Sequence, residues 1–505
     1  MADTRRLLIS VAVMSATVMQ VLDTTIVNVA LPHMEGQLGA TPEQISWVLT
    51  SYLVASAIFM PLTGYFSDRL GRRRYLLISI GGFVISSMAC GLSFNLEEIV
   101  VARLIQGVFG AALVPLSQAI MVDTYPLNER GKAMAIWGLG VMVGPILGPT
   151  LGGYLTQVIN WRATFFINLP VGILSLILAF RVVPDTPRQE RGMDWTGFLF
   201  LSLMIGGLQF LLDRGNQDGW LSSSAIRTAA AASIFGFVGF VIHALTTERR
   251  PLFRLGLFRD RNFTVASIVL AIFGLGMYGS MVLQPMMLES LFGYPTLMTG
   301  LAMAPRGVVS AISMLIVGRM ITKTSPRILI TVGIVFSMLG SLAMTQYDLH
   351  IGLFTVIWPV LIQGLGLGMI YVPLSTIAFA TLPKQDSSEA AGLFSLMRTI
   401  GSSIGISIVT TAFARETQVA WNQMGGHLNP FNPALGGYLR GLGLSADSTA
   451  GAAVLARELA RQAAMRAFLD SFMLVAVSFV FMLPLTLLLK GKALGESNEV
   501  IVAAE

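Results

Sequence analysis

The sequence predicts an all-α membrane protein: two six-helix bundles and two additional helices, fourteen spans in all, with both termini cytoplasmic. Three observations predict it. First, 54% of the 505 residues are hydrophobic and 12% are charged, with a mean hydropathy of +0.72. A soluble domain carries roughly 25% charged residues, so a soluble enzyme, a disordered chain and a coiled coil are excluded. Second, the apolar residues fall in runs of about the 20 residues that a spanning helix requires. Third, segments recur at a constant offset of 257: Leu104–Gly107 as Leu361–Gly364, Thr124 and Pro126 as Thr381 and Pro383, Gly144 and Gly148 as Gly401 and Gly405. Six helices with their loops take about 200 residues, and the excess suits one inserted helix pair.

The first bundle occupies residues 1–183, with spans at 7–31, 45–66, 75–95, 98–122, 132–158 and 162–183. A linker, 184–261, carries the added spans at 195–213 and 225–246. The second bundle, 262–490, has spans at 262–289, 296–321, 327–346, 351–380, 388–414 and 465–490. It includes a long outer loop, 415–464, and a cytoplasmic tail follows at 491–505. Backbone groups in lipid must be satisfied internally, which leaves helices; the runs lack the alternation of barrel strands. The first run is too long for a signal-peptide core and has no small-residue cleavage site. With cytoplasmic termini, 22 Lys and Arg residues fall on inner segments, 8 on outer segments and 3 within spans, the asymmetry that orients a membrane protein. Parallel six-helix halves are a transporter plan, with the substrate site at mid-depth between them.

Taken in chain order, the spans and loops carry the candidate residues. Asp23, in span one, is an ionisable group inside the membrane and so a functional candidate by default. It precedes Pro32 by nine residues, hence lies ~13 Å from the outer end. The tight loop Gly64–Arg74 holds Gly64, Asp68, Arg69, Gly71 and Arg72. Gly64 permits close helix approach and Gly71 a tight turn, and Asp68 can accept helix-end N–H groups or pair with arginine. Arg103, in span four, lies ~8 Å deep, in the same outer third as Asp23. The two depths leave open whether they pair, and a static ion pair is the alternative to proton coupling. Span five carries Gly138, Gly140, Gly144-Pro145, Gly148-Pro149 and Gly152-Gly153. Its spacing of four keeps the glycines from Gly140 to Gly152 near one face, small faces let membrane helices touch, and the prolines bend the helix. Glu289 ends span nine as a solvated carboxylate, a second protonation site or an attraction for cations. Arg306 and Arg398 also lie within spans. Ser445-Ala-Asp447 reads as a cap for a helix from about 448 into the last span.

The remaining chemistry is excluded residue by residue. The net charge of +6 is spread over short gaps and not gathered on one face, so no nucleic-acid partner is expected. A single cysteine, Cys90, and four scattered histidines offer neither disulfide nor metal spacing. No cofactor or metal is expected, and no catalytic residue: clustered His, Cys or paired acids are lacking. No phosphate-binding glycine loop is present. That leaves an ion gradient as the energy source, about 2.3 kcal/mol per charge across 100 mV.

The order of residues in Gly64–Arg74 resembles the loop signature of the major facilitator superfamily. With Leu22–Pro32, Arg103–Gly107, the Gly140–Gly153 run and Trp161–Asn168, the chain is similar to the fourteen-span drug:proton antiporter branch, of the EmrB/QacA type, over roughly residues 7–490. The resemblance implies the major facilitator fold and alternating access. It implies a conformational latch at Gly64, Asp68, Arg69, Gly71 and Arg72, with Asp123 near the inner end of span four as partner. It implies an antiporter motif at Gly140, Gly144, Pro145, Gly148, Pro149, Gly152 and Gly153, associated with export. Asp23 and Arg103 fall at positions implicated in proton coupling. The chain departs from the pattern at Glu289, where glutamine is usual, at Ala163, where a second tryptophan is usual, and at Gly318–Lys323, which lacks the latch aspartate. The expected function is proton-coupled export of amphipathic or hydrophobic drugs, cations among them, across a bacterial inner membrane. The expected partners are a periplasmic adaptor and an outer-membrane channel, with 415–464 as a contact surface. The alternative is a facilitator importing a small polar solute, against which the glycine–proline motif argues.

Overall fold

A computed structural model describes residues 2–126, 129–189, 192–247, 255–428, 432–445 and 448–489. The tail 491–505, Asp447, Lys490 and the arginines counted at 191, 249, 250 and 254 lie outside the described residues. Among the described residues, fourteen helices are long and apolar enough to cross a membrane. They are α1 (Thr4–Leu38), α2 (Trp47–Leu70), α3 (Arg72–Leu92), α4 (Leu96–Thr124), α5 (Arg130–Val158), α6 (Ala163–Val182), α7 (Trp195–Arg214), α8 (Ser224–Thr246), α9 (Arg261–Ser290), α10 (Leu297–Met320), α11 (Pro326–Met344), α12 (Leu353–Ala378), α13 (Ser387–Gly425) and α14 (Thr449–Thr486). No strand occurs among the described residues.

The packing repeats with the sequence. In the first lobe α1 packs on α4, α5 and α6, α4 on α2 and α3, and α3 on α6. In the second lobe α9 packs on α12, α13 and α14, α12 on α10 and α11, and α11 on α14. Each pair is its counterpart moved by eight spans. The lobes meet along α2 with α13 and along α5 with α10, and α4 touches α13 as α12 touches α5. The added pair α7 and α8 pack on each other, and α7 lies over the α2/α13 seam, touching both. It is pinned to both lobes. Asp213 accepts from Thr50 and Arg214 donates to Ser46 on one side; Gln209 and Ser403 exchange hydrogen bonds of 2.9 and 3.0 Å on the other.

Four spans, α2, α4, α6 and α14, are interrupted, each close to a proline. Within α2, a 3-10 turn covers Met60–Leu62 and contains Pro61. Within α4, helix ends at Gly110 and resumes at Leu113. Pro115 lies four residues after Ala111, so it cannot donate to the Ala111 carbonyl and its ring crowds it. By contrast α5 runs unbroken from Arg130 to Val158 through Pro145 and Pro149.

The expected outer loop, 415–464, is corrected: most of it is helix. α13 continues to Gly425 and a short helix covers Pro433–Gly441, while α14 starts at Thr449, in line with the helix expected from about 448. Polar residues such as Arg415, Glu416 and Asn422 end the apolar run, but a helix leaving the bilayer needs no apolar surface. The cap of α14 is Ser448, whose Oγ accepts from the Gly451 N–H at 2.9 Å.

Candidate coupling site and inter-lobe clasp

Asp23 and Arg103 are both wholly buried, and they pair. Arg103 Nη1 donates to Asp23 Oδ2 at 2.6 Å. Gln106 Nε2 and Asn168 Nδ2 donate to Oδ1 at 3.0 and 2.8 Å. All of the partners are donors, as a carboxylate, which only accepts, requires. Arg103 and Gln106 are three residues apart on α4 and so share a face; their side chains also bond each other at 2.7 Å. Arg103 Nε donates to the Val48 carbonyl at 3.0 Å, and the guanidinium lies 4.3 Å from the Tyr52 ring centroid. Asn168 is held in turn by Ser87 at 2.9 Å. One nitrogen, Arg103 Nη2, is buried without a hydrogen-bond partner among the described residues. The knot therefore draws on α1, α2 and α4 and on the start of α6, and it lies inside the first lobe, away from lipid.

The repeat extends to this chemistry. Ser280 and Gln363 lie 257 positions after Asp23 and Gln106, and they too bond each other, at 3.1 Å. Serine replaces the acid, so the second lobe has the position without the titratable group.

The Arg-rich ends of the lobes form a clasp. Gly71 has φ +82°, a left-handed turn that joins α2 to α3 and that favours glycine. It leads into Arg72, which pairs with Asp123. Both then reach the second lobe. Arg72 Nε donates to Ser388 Oγ at 2.9 Å, and Ser387 Oγ donates to Asp123 Oδ1 at 3.0 Å. Ser67 bonds Ser388 at 3.1 Å, and Arg130 donates to the Phe379 carbonyl at 2.9 Å. Gly64 lets α2 meet α13: a Cβ there would lie 2.7 Å from Glu389 Cβ and 2.8 Å from its Cα. Asp68 is half-buried in the last turn of α2, where its carbonyl accepts from Gln189 N at 2.9 Å. Arg69 is exposed and bonds the Tyr65 hydroxyl at 2.5 Å. Just beyond the clasp, Trp137 of α5 stacks on Tyr371 of α12 with centroids 5.8 Å apart.

The glycine face of α5 receives α1. A Cβ at Gly144 would lie 2.6 Å from the Val21 carbonyl group, one at Gly152 would lie 2.9 Å from the Ile26 oxygen, and those at Gly140 and Gly148 would overlap Met14 and Thr25. Thr25 Oγ1 donates to the Gly144 carbonyl at 2.9 Å. Gly153 is buried on the same helix, and Pro149 is half-buried. Glu289 stands apart: it is exposed in the last turn of α9 and is not among the partners of Asp23 or Arg103.

The sequence profile of the Major Facilitator Superfamily matches residues 13–406. The chain belongs to the major facilitator superfamily. Within it, the chain is 34% identical to the multidrug export protein EmrB of Haemophilus influenzae over 483 residues, covering 94% of each chain. It is 32% identical to the fatty acid resistance protein FarB of Neisseria gonorrhoeae over 480 residues, again 94% of each. Among solved structures, the human organic anion transporter MFSD10 superposes with a TM-score of 0.63 at 16% identity, covering 95% of this chain and 99% of that one. The proton:xylose symporter XylE superposes with a TM-score of 0.60 at 14% identity over both full chains. This major facilitator is thus a multi-pass membrane protein with the fold of that superfamily.

Sequence reasoning singled out Asp23, Arg103, Arg72 and Asp123, and the structure joins them in two pairs. It did not single out Ser387, Ser388 and Glu389. Ser-Ser-Glu before a long apolar run reads as an ordinary helix start, and only the lobe interface gives it a second meaning. Gln106 and Asn168 lie within the segments Arg103–Gly107 and Trp161–Asn168, where neutral amides carry no signal of their own.

Proposed function

We propose that this chain exports amphipathic drug-like compounds from the cytoplasm of a bacterium in exchange for protons, with Asp23 as the proton carrier. Two similarities support drug export, to the multidrug export protein EmrB and to the fatty acid resistance protein FarB. The observation that carries the proton step is the knot: an acid buried in the membrane, with one arginine and two amides able to let it go. The Lys and Arg asymmetry, 22 inner against 8 outer, supports a cytoplasmic clasp. The clasped conformer then faces outward. A proton arriving from outside neutralises Asp23, Arg103 turns to Gln106 and Val48, and the altered contacts of α1 with α4 favour release of the clasp. Cargo binding from the cytoplasm reverses the step.

The helical extension of α13 supports an adaptor contact. At 39 residues it is ~58 Å long, so it outreaches the ~30 Å hydrocarbon core and carries its end, with Pro433–Gly441, into the periplasm. Everted membrane vesicles test the direction. An interior-acid gradient is expected to drive accumulation of an exported dye; accumulation only on the opposite gradient would establish import.

A further inference from the structure

The second lobe buries a cation for which it supplies no counter-ion among the described residues. Arg306 lies nine residues into α10, ~13 Å from that end, and is 4% exposed. Its side-chain hydrogen bond is long: Nη1 to Gln284 Oε1 at 3.5 Å. Its Nε is buried without a partner, and no carboxylate lies near enough among the described residues to act on it. Arginine does not lose its proton in proteins, so the charge persists.

The first lobe provides the control. There, in the corresponding space between α1, α2 and α4, Arg103, which sits on α4 whereas Arg306 sits on the counterpart of α2, has Asp23. Between α9, α10 and α12 the second lobe has Ser280 and Gln363 where Asp23 and Gln106 would fall, and Arg306 near them with its Nε buried and without a hydrogen-bond partner among the described residues. Gln284, the only side chain among the described residues to reach it, turns its amide nitrogen to Met344 Sδ at 3.0 Å. Gly364 brings α12 against the α10 backbone here, since a Cβ would lie 2.6 Å from the Arg306 carbonyl oxygen. Ionisable residues within membrane spans mark substrate and ion paths, and a planar guanidinium matches a carboxylate in two-point geometry.

We propose that Arg306, oriented by Gln284, binds the anionic head group of a lipophilic organic acid. A small inorganic anion must shed its hydration to reach this depth, whereas an amphiphilic acid enters with its tail in the apolar phase. The proposal rests on the export reading and narrows its cargo to include carboxylates.

Equilibrium binding to the full chain in lipid nanodiscs tests it, with radiolabelled dodecanoate, its methyl ester and dodecyltrimethylammonium as probes. Wild type is expected to bind dodecanoate at least tenfold more tightly than the ester. Arg306→Gln loses that preference and still binds the cation; Arg306→Lys restores part of it. Gln284→Glu supplies a resident counter-ion, so it is expected to fold at least as stably as wild type and to lose dodecanoate binding. If Arg306→Gln does not fold, Gln284→Glu alone decides between the outcomes. Wild-type dodecanoate binding in Gln284→Glu, or equal affinity for acid and ester in wild type, overturns the proposal. So does an Arg306-dependent stabilisation by sodium chloride over sodium gluconate with no effect on dodecanoate. No gradient is needed, so a chain that binds dodecanoate and exports nothing would refute export alone.

Discussion

A carboxyl group buried at the depth of Asp23 needs hydrogen-bond partners, and among the described residues its company is specific: one guanidinium and two amides, all donating. Removing one amide and removing the cation should therefore differ. Asn168→Leu deletes one hydrogen bond to a charged group, about 1.5–3 kcal/mol. Arg103→Met strands the acid, which costs about 3–5 kcal/mol when a buried pair is broken. Thermal unfolding of the detergent-solubilised protein is expected to rank wild type above Asn168→Leu and that above Arg103→Met. Adding Asp23→Leu to Arg103→Met should recover most of the loss in stability while leaving transport absent. An equal midpoint for the single and double variants would mean the pair is not coupled. At this scale the sequence is legible where a charge interrupts an apolar run, as Asp23, Arg103 and Asp123 do. It is opaque where the partner is neutral and distant: Asn168 is 145 residues from Asp23, and Ser388 is 316 from Arg72.

The helices were legible by hydropathy, and their ends were not, because hydropathy reports the bilayer and not the helix. Hence α13 and α14 extend beyond their apolar runs, and the breaks in α2 and α4 sit at prolines whose neighbours decide whether the helix yields. The glycine face of α5 was legible in its spacing, and the structure adds that its occupant is α1. Gly144→Leu would drive a side chain into the Val21 backbone, which cannot give way as a side chain can. Overpacking of this kind costs about 1–3 kcal/mol or more. Transport is expected to be lost with membrane insertion retained, read by dye efflux and by the amount of protein in washed membranes. Undiminished efflux would show that α1 and α5 need not touch. Gly64→Val acts on the clasp. Its added bulk meets Glu389 Cα and Cβ, so the closed state loses stability, and 1.4 kcal/mol is a tenfold shift in population. In a Cys90→Ala background, Ser388→Cys should react with a maleimide about tenfold faster once Gly64→Val is present. An unchanged rate would mean the α2–α13 approach does not hold the clasp.

For the whole molecule, the offset of 257 already implied two lobes, and the paired packing of α1–α6 and α9–α14 carries that repeat into three dimensions. What the repeat concealed is asymmetry: an acid in one lobe, Ser280 at its mirror position, and nearby an Arg306 with no carboxylate partner among the described residues. Neither appears until the helices are assembled, since both depend on which side chains share one interior. Rocking requires the clasp to open. Ser67 and Ser388 stand 3.1 Å apart, Oγ to Oγ, near enough for a disulfide between cysteines at these sites. Cys90 is the only native cysteine and is buried. Oxidising Ser67→Cys/Ser388→Cys in the Cys90→Ala background is expected to stop efflux, and reductant to restore it; efflux through the cross-linked form would contradict alternating access by these lobes. The central claim is that Asp23 surrenders a proton when cargo binds. Proton release on adding substrate to proteoliposomes without a gradient, followed with a pH-sensitive dye, tests it most directly. The wild type should acidify the medium on substrate addition, while Asp23→Asn, which keeps one acceptor oxygen for Arg103, binds substrate and releases nothing. Equal release by wild type and Asp23→Asn would contradict the account.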